Sequence, residues 1–136
     1  MIETYLADAC ALIAFYGTTD TSPVTPKSPR LTPAGEAALQ SNGVHVATIT
    51  VWEIAQKIAA GKLSMVQSND SLASLLARDG YLMAPYSWEN AEKAANLPAH
   101  HKDPMDRMLI AIALHNGMTV ITCDEIFSKY GVKTVW

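Results

Sequence analysis

The segment DPMDRMLIAIALHNGMTVITCD (residues 103–124) carries the clearest structural pattern in the chain. Proline at the first helical position, followed by a run that is apolar nearly all round, predicts a buried helix over 104–116 that ends at Asn116-Gly117. A buried strand over 118–122 is predicted next, and an aspartate lies at its end. A buried helix that leads into a buried strand is typical of a parallel sheet with helices on both faces.

The rest of the chain repeats this alternation of short apolar runs and helical patterns. Further strands are predicted at 4–7, 44–47, 81–84 and 133–135, and further helices at 9–16, 33–41, 51–60, 70–78, 87–96 and from 124. Thr32, Ser87 and either Asn69 or Asp70 are the predicted helix caps. Residues 17–33 contain four prolines and are interpreted as a mobile loop. The sequence therefore predicts one α/β domain over residues 1–136, with three α/β/α layers around a short central parallel sheet.

Composition narrows the classes of function. Hydrophobic residues make up 49% of the 136 residues, which is enough for a core, and no apolar run approaches the length of a membrane span. The net charge of −3 excludes a basic clamp that holds nucleic acid by bulk charge, although an enzyme whose acids bind metal ions remains compatible with it. Two cysteines and the lack of a signal-peptide pattern indicate a soluble cytoplasmic protein.

Acidic residues stand where the predicted strands end. Asp8 directly follows the first strand, Asp124 lies at the end of the buried strand near the C-terminus, and Glu53 lies one turn into the helix after the second strand. Asp103 and Asp106 begin the most apolar helix. Because active sites of open parallel sheets form outside the carboxyl ends of the strands, we expect these five acids to converge on one edge.

Carboxylates packed so closely repel one another, and one of them takes up a proton unless a cation screens them. A hard divalent cation such as Mg²⁺ or Mn²⁺ prefers oxygen ligands of this kind. Beside a phosphodiester, such an ion activates a water and stabilises the departing oxygen. The pattern is therefore compatible with metal-dependent hydrolysis of phosphodiester bonds.

Each acid also has a purely structural interpretation. Asp8, Asp103 and Asp124 each precede a helix and can be ordinary N-caps. The run from Thr50 to Glu53 fits a capping box, in which Glu53 only accepts a backbone hydrogen bond. Taken singly, each acid fits a cap better than a ligand, but the convergence of all of them on one edge favours a site.

Basic residues and histidines near this edge offer weaker signals. Lys57, Lys102 and Arg107 are candidate contacts for the phosphate groups of a substrate, and solvated surface charge is an equally good interpretation of them. The His100-His101 pair is predicted to be exposed to solvent rather than to bind a metal.

The cysteines and tryptophans close to the acids are assigned to the interior. Cys10 and Cys123 are predicted to be small buried hydrophobic residues. Trp52 and Trp88 are predicted to be packing residues rather than platforms for base stacking.

Four segments resemble the PIN-domain ribonucleases, specifically the VapC-type toxins of bacterial toxin–antitoxin pairs. These segments are YLADACALI (5–13), TITVWEIA (48–55), LPAHHKDPMDRMLIA (97–111) and VITCD (120–124). They span nearly the whole chain in the family's order, and the His-x-Asp-Pro-x-Asp-Arg stretch is the most specific. Residues 17–33 depart from the family because they are longer and richer in proline.

The resemblance implies a PIN-like fold and a Mg²⁺- or Mn²⁺-dependent endoribonuclease. Such an enzyme is inhibited by a cognate antitoxin and is often a homodimer. The implied catalytic acids are Asp8, Glu53, Asp106 and Asp124. Metal ligation falls to Asp8, Asp106 and Asp124, with Asp103 in or beside the pocket, and Thr122 matches a supporting hydroxyl.

Two other classes of function are weighed against the nuclease. A non-catalytic PIN-like binding module with a vestigial acidic pocket has no need for four mutually repelling acids. A receiver-like phosphoacceptor domain requires a lysine just after a late strand, whereas the chain has none between Thr122 and Lys129. The nuclease is therefore the leading hypothesis.

Overall fold

A computed structural model describes residues 3–17, 30–64 and 71–136. Most of the proline-rich stretch 17–33 lies outside these residues, so the interpretation of that stretch as a mobile loop stays a prediction. Within the described part of the chain, no helix is long and apolar enough to cross a membrane.

Strands and helices alternate along the chain, as the sequence predicts. The strands are β1 Tyr5–Ala7, β2 Val44–Val46, β3 Leu82–Met83, β4 Thr119–Ile121 and β5 Thr134–Val135. The helices are α1 Ala9–Tyr16, α2 Pro33–Leu39, α3 Thr48–Ala59, α4 Leu72–Arg78, α5 Trp88–Ala95 and α6 Pro104–Asn116, followed by a 3₁₀ helix Glu125–Tyr130. The predicted bounds of α1 and α6 are confirmed to the residue.

The five strands form one parallel sheet in the order β3-β2-β1-β4-β5. The first strand is therefore the central one, and Ala7 at its end aligns with Val46 of β2 and Ile121 of β4. This register brings the carboxyl ends of three strands level with one another. The residues that follow these strands therefore lie side by side at one edge of the sheet.

Helices cover both faces of the sheet, which confirms the three-layer α/β/α prediction. Alternate residues of a strand point to opposite faces, and Ala7 and Ile121 pack with residues of α1, α2, α3 and α4. Leu6 and Val120 pack on the other face with α6 and the 3₁₀ helix, and α5 packs against α6. Each strand of the centre is buried on both sides, as a parallel sheet requires.

Side-chain caps start several helices as predicted, with one correction. Thr32 accepts a hydrogen bond from the Gly35 N–H, and Ser87 forms a capping box with Asn90. The prediction that Asn69 or Asp70 caps α4 is wrong, because the hydroxyl of Ser71 accepts the hydrogen bond from the Ser74 N–H. Asn69 and Asp70 both lie outside the described part of the chain. A cap at Asp70 would start the helix at residue 71, whereas it starts at Leu72.

Candidate metal-binding site

Asp8 lies at the end of the central strand and is only 4% exposed. Its Oδ1 accepts a hydrogen bond from the Ala11 N–H at 2.9 Å, so it caps α1, and the Thr122 hydroxyl also donates to its carboxyl group. Burial raises the pKa of Asp8 from 3.8 to about 7, and the charges of Asp106 and Glu53 add to this effect. An ionised Asp8 is therefore costly unless a cation lies beside it.

Two further acids stand at the start of α6. Asp103 caps this helix through Oδ1, which accepts hydrogen bonds from the N–H groups of Met105 at 2.9 Å and Asp106 at 3.4 Å. The Oδ2 of Asp106 lies 2.7 Å from the Nε2 of His101. Burial raises the pKa of Asp106, the hydrogen bond from His101 opposes this, and the charges of Asp103 and Asp124 raise the pKa further.

Glu53 interacts electrostatically with the same acids from α3, and the alternative interpretation of Glu53 as part of a capping box does not hold. The helix begins at Thr48 after an Ala47 cap that has no side-chain hydrogen bond, so Thr50 lies within the first turn. Glu53 is partly buried and pairs with Lys57 at 3.7 Å. Burial raises its pKa, Lys57 opposes the shift, and the charges of Asp106 and Asp103 raise it further.

Asp124 completes the group after β4. Its Oδ1 accepts a hydrogen bond from the Ile126 N–H at 3.0 Å and caps the 3₁₀ helix. Its own N–H donates to the Thr122 Oγ at 3.1 Å. Because Thr122 is buried and also donates to Asp8, it connects the segments that carry these two acids.

The capping and cluster interpretations of the acids are compatible. Asp8, Asp103 and Asp124 each cap a helix through Oδ1, and the Asp8 carboxyl group also accepts a hydrogen bond from Thr122. Each of the five acids affects the pKa of at least one other or has its own pKa affected, so their charges interact across this edge. Among the described residues, only Asp103 and Asp106, together with His101, form a group of three whose ligand atoms lie within 4.8 Å of one another, and Asp8, Glu53 and Asp124 lie outside that group. Oxygen donors with excess negative charge in a partly buried site fit Mg²⁺ or Mn²⁺.

His101 is the residue that sequence reasoning missed, because the His100-His101 pair was predicted to be exposed. His100 is exposed, whereas His101 is partly buried against Asp106. One ligand atom each of His101, Asp103 and Asp106 lies within 4.8 Å of the others. The spacing of these residues around Pro104 is the signal that could have revealed the contact.

The three candidate phosphate contacts have different environments. The guanidinium group of Arg107 donates to the backbone carbonyls of Ala94, Leu97, Pro98 and His101. These bonds favour a structural role for it. Lys57 is paired with Glu53 at the site, and Lys102 is exposed on the loop before α6.

Burial contradicts the predictions for the cysteines and tryptophans. Cys10 is exposed and Cys123 is partly buried, so the prediction of two buried thiols is wrong. Trp52 is 51% exposed and Trp88 is 91% exposed, so packing does not account for these rings.

The comparisons with known proteins identify the family of the chain and proteins that share its fold. The PIN domain model matches residues 5–133. The chain belongs to the PIN domain family. Similar solved structures include FitAB bound to an IR36 DNA fragment, with 19% identity, coverage of 96% of this chain and 93% of that one, and a TM-score of 0.60.

Two other structures show the same fold. FitAcB from Neisseria gonorrhoeae has 19% identity, coverage of 98% and 97%, and a TM-score of 0.61. VapBC2 from Rickettsia felis, bound to a DNA fragment from their promoter, has 13% identity, coverage of 96% of both chains and a TM-score of 0.62. No curated protein matches the chain.

The raised pKa of Asp8 predicts how stability depends on pH without metal. A group whose pKa is raised by folding stabilises the native state below its unfolded pKa, here 3.8, and this contribution is lost as the pH rises through about 7. The difference corresponds to roughly 4 kcal/mol at most. Asp8→Asn keeps the cap on α1 and removes the charge, so we expect it to raise the free energy of unfolding at pH 8 by on the order of 2 kcal/mol.

Chemical denaturation at pH 4.5 and pH 8 in EDTA measures this effect. The variant and the native chain should differ little at pH 4.5, and Mn²⁺ at pH 8 should stabilise the native chain more than Asp8→Asn. Glu36→Gln, which neutralises an exposed acid of α2, is the matched control. Equal stabilisation by Asp8→Asn at both pH values would contradict the assignment of a costly charge to Asp8.

Proposed function

We propose that the protein is a Mg²⁺- or Mn²⁺-dependent endoribonuclease that acts as the toxin of a toxin–antitoxin pair. The observation that carries this proposal is Asp8, a carboxyl group 4% exposed whose pKa is raised further by two neighbouring acids. A protein gains nothing in stability from such a group, because a capping asparagine would make the same hydrogen bond without the charge. Membership of the PIN domain family supports a nuclease role for the acids.

The proposal assigns each acid a part. Asp8, Asp106 and Asp124 hold the cation, with Asp103 beside them, through the oxygens that their caps and hydrogen bonds leave over. Glu53 orients a water near the scissile phosphate. When bound, the divalent ion supplies charge neutralisation at the phosphate and lowers the pKa of water.

Thr122 is proposed as a support for the site rather than as a ligand. It donates to Asp8 and accepts from the backbone of Asp124, so it fixes the distance between two segments that hold the ion. Lys57 and Lys102 are the proposed phosphate contacts for RNA. Arg107 is left out, because its guanidinium group is engaged by backbone carbonyls.

Loss of cleavage in Asp106→Asn tests the metal assignment. The amide can still accept or donate a hydrogen bond toward His101 but cannot contribute charge to the cation, so RNA cleavage with Mg²⁺ or Mn²⁺ should be abolished while the fold is retained. The measurements are cleavage of a labelled RNA pool and circular dichroism, with Asp8→Asn run in parallel and Glu36→Gln as control. Cleavage by both variants at the native rate would contradict the assigned site, and a native chain that cleaves no RNA would support the binding-module alternative.

Glu53→Gln separates a catalytic role from a structural one. The variant preserves shape and hydrogen bonding, and the ion pair with Lys57 that it removes is partly exposed and contributes little to stability. A role in orienting water needs the carboxylate, so we expect kcat to fall by at least about 100-fold without a comparable loss of stability. Lys57→Gln removes the same ion pair and is the control for stability alone, because Lys57 is itself a proposed phosphate contact. Near-native kcat in Glu53→Gln would show that Glu53 is not catalytic.

The proposed partner is a cognate antitoxin, and the proposed assembly includes a homodimer of this chain. The antitoxin is supported by the fold shared with FitAB and VapBC2, which are toxin–antitoxin complexes, and the homodimer rests on the family resemblance alone. An acidic site built for a cation also accepts a guanidinium group, whose planar fork matches carboxylates. The antitoxin is therefore proposed to place an arginine or lysine near Asp8, Asp106 and Asp124, while its amphipathic segment packs beside α3 and α4.

Competition between Mn²⁺ and the antitoxin tests this mode of inhibition. If the basic residue and the cation share the site, increasing Mn²⁺ should weaken binding of the antitoxin to the native chain. Asp8→Asn should reduce both the binding and its dependence on Mn²⁺. Calorimetric titration over a range of Mn²⁺ concentrations measures both effects. Binding that is indifferent to Mn²⁺ and to Asp8→Asn would mean that the antitoxin covers the path of the RNA instead.

A further inference from the structure

The loop between α5 and α6 (residues 96–103) is held by the side chain of Arg107. One guanidinium nitrogen donates to the carbonyls of Pro98 at 3.0 Å and His101 at 3.1 Å. The other donates to the carbonyls of Leu97 at 2.8 Å and Ala94 at 2.9 Å. A planar group with several fixed donors therefore ties the end of α5 and the whole loop to the second turn of α6.

Tyr130 holds the same loop through a second set of hydrogen bonds. Its hydroxyl, at the end of the 3₁₀ helix, accepts a hydrogen bond from the His101 N–H at 2.9 Å and donates to the Pro98 carbonyl at 2.7 Å. Arg107 also donates to this hydroxyl at 3.4 Å. The His100 ring packs edge-on against Tyr130 with the ring centroids 5.1 Å apart. The backbone of His101 is therefore fixed at both its N–H and its carbonyl group.

We call the hydrogen bonds that Arg107 and Tyr130 make to this loop the brace. The brace fixes the backbone from which the imidazole of His101 extends. Its Nε2 contacts the Oδ2 of Asp106 at 2.7 Å, a short distance typical of a charge-assisted hydrogen bond. When Asp106 is ionised, as it must be to hold a cation, its carboxylate can only accept, and His101 then donates from Nε2. The bond fixes the rotation of the Asp106 carboxylate and leaves its Oδ1 for a cation.

We propose that His101 is a positioning residue that orients Asp106 for metal binding, and that Arg107 and Tyr130 hold His101 in place for this purpose. The inference rests on the proposed metal-dependent nuclease function. It adds to the site a residue that is not one of the five acids. Hydrogen-bonded partners of metal ligands typically contribute 10- to 100-fold to metal affinity or activity.

Direct ligation by His101 is the main alternative, since its ring lies within the group formed with Asp103 and Asp106. The geometry favours positioning, because the nitrogen near the acids already donates to Asp106 and a donating nitrogen has no lone pair for a metal. The preference of hard divalent ions for oxygen agrees with this assignment.

The first experiment compares three variants of the histidine pair. His101→Gln retains an N–H donor on a side chain of similar reach, His101→Ala removes it, and His100→Ala is the matched control at an exposed neighbour. Mn²⁺ affinity is measured by electron paramagnetic resonance without RNA, together with the melting temperature in EDTA. We expect His101→Ala to weaken Mn²⁺ binding by about 10- to 100-fold, and His101→Gln to restore most of the affinity.

A second experiment tests the brace through Tyr130→Phe. The substitution keeps the ring and removes only the hydroxyl that bonds His101 and Pro98. It should weaken Mn²⁺ binding in the native background and have little effect in the His101→Ala background. A double-mutant cycle on the Mn²⁺ affinities measures this coupling.

The outcomes separate this inference from the proposed nuclease function. Native Mn²⁺ affinity in His101→Ala, additive effects of Tyr130→Phe and His101→Ala, or a Gln variant as weak as the Ala variant would each overturn the positioning role. The last of these results would indicate direct ligation by the imidazole. A native chain that binds Mn²⁺ but cleaves no RNA would overturn the nuclease proposal and leave these measurements interpretable.

Discussion

The poor solvation of Asp8 at the carboxyl edge of the sheet governs the arrangement around it. Because β1 is the central strand, its end lies between β2 and β4 and under the helices that follow them, where water has little access. A charge placed there needs a cation, a proton or converging dipoles. Helix N-termini supply part of this compensation, since α1 and α6 both begin at the acids and direct free N–H groups at them. The carboxylates of the candidate site therefore also serve the fold, because Asp8, Asp103 and Asp124 cap the helices that begin there.

Much of the architecture is readable from local patterns. The α6–β4 segment is predictable because its apolar run is too continuous for a surface element. Pro104 and Gly117 mark the start and the end of α6. The placement of Asp8 and Asp124 follows from the same logic, because an acid directly after a buried strand in a parallel sheet has only one edge to occupy. Apolar periodicity, together with proline and glycine at the ends of elements, is sufficient to predict these features because each depends on a few consecutive residues.

Features that depend on packing between distant segments were not predictable. The start of α3 at Thr48 gives no side-chain cap to detect, so the sequence suggested a capping box that does not form. The role of Arg107 depends on how α5 ends against α6, and the contact of His101 with Asp106 depends on that brace. Trp88 shows the reverse case: a large apolar side chain suggests burial, but the first position of α5 leaves it in solvent.

The central position of the first strand has a consequence for how the molecule assembles. Ala7 pairs with Ile121, so the middle of the sheet closes only when nearly the whole chain is present. Such a long closure costs chain entropy before any contact repays it, and slow folding follows from pairings of this kind. A nascent chain that has reached α4 carries Asp8 and Glu53 but neither β4 nor the acids of α6. The acidic cluster is therefore completed only after α6 and β4 have joined the earlier part of the chain.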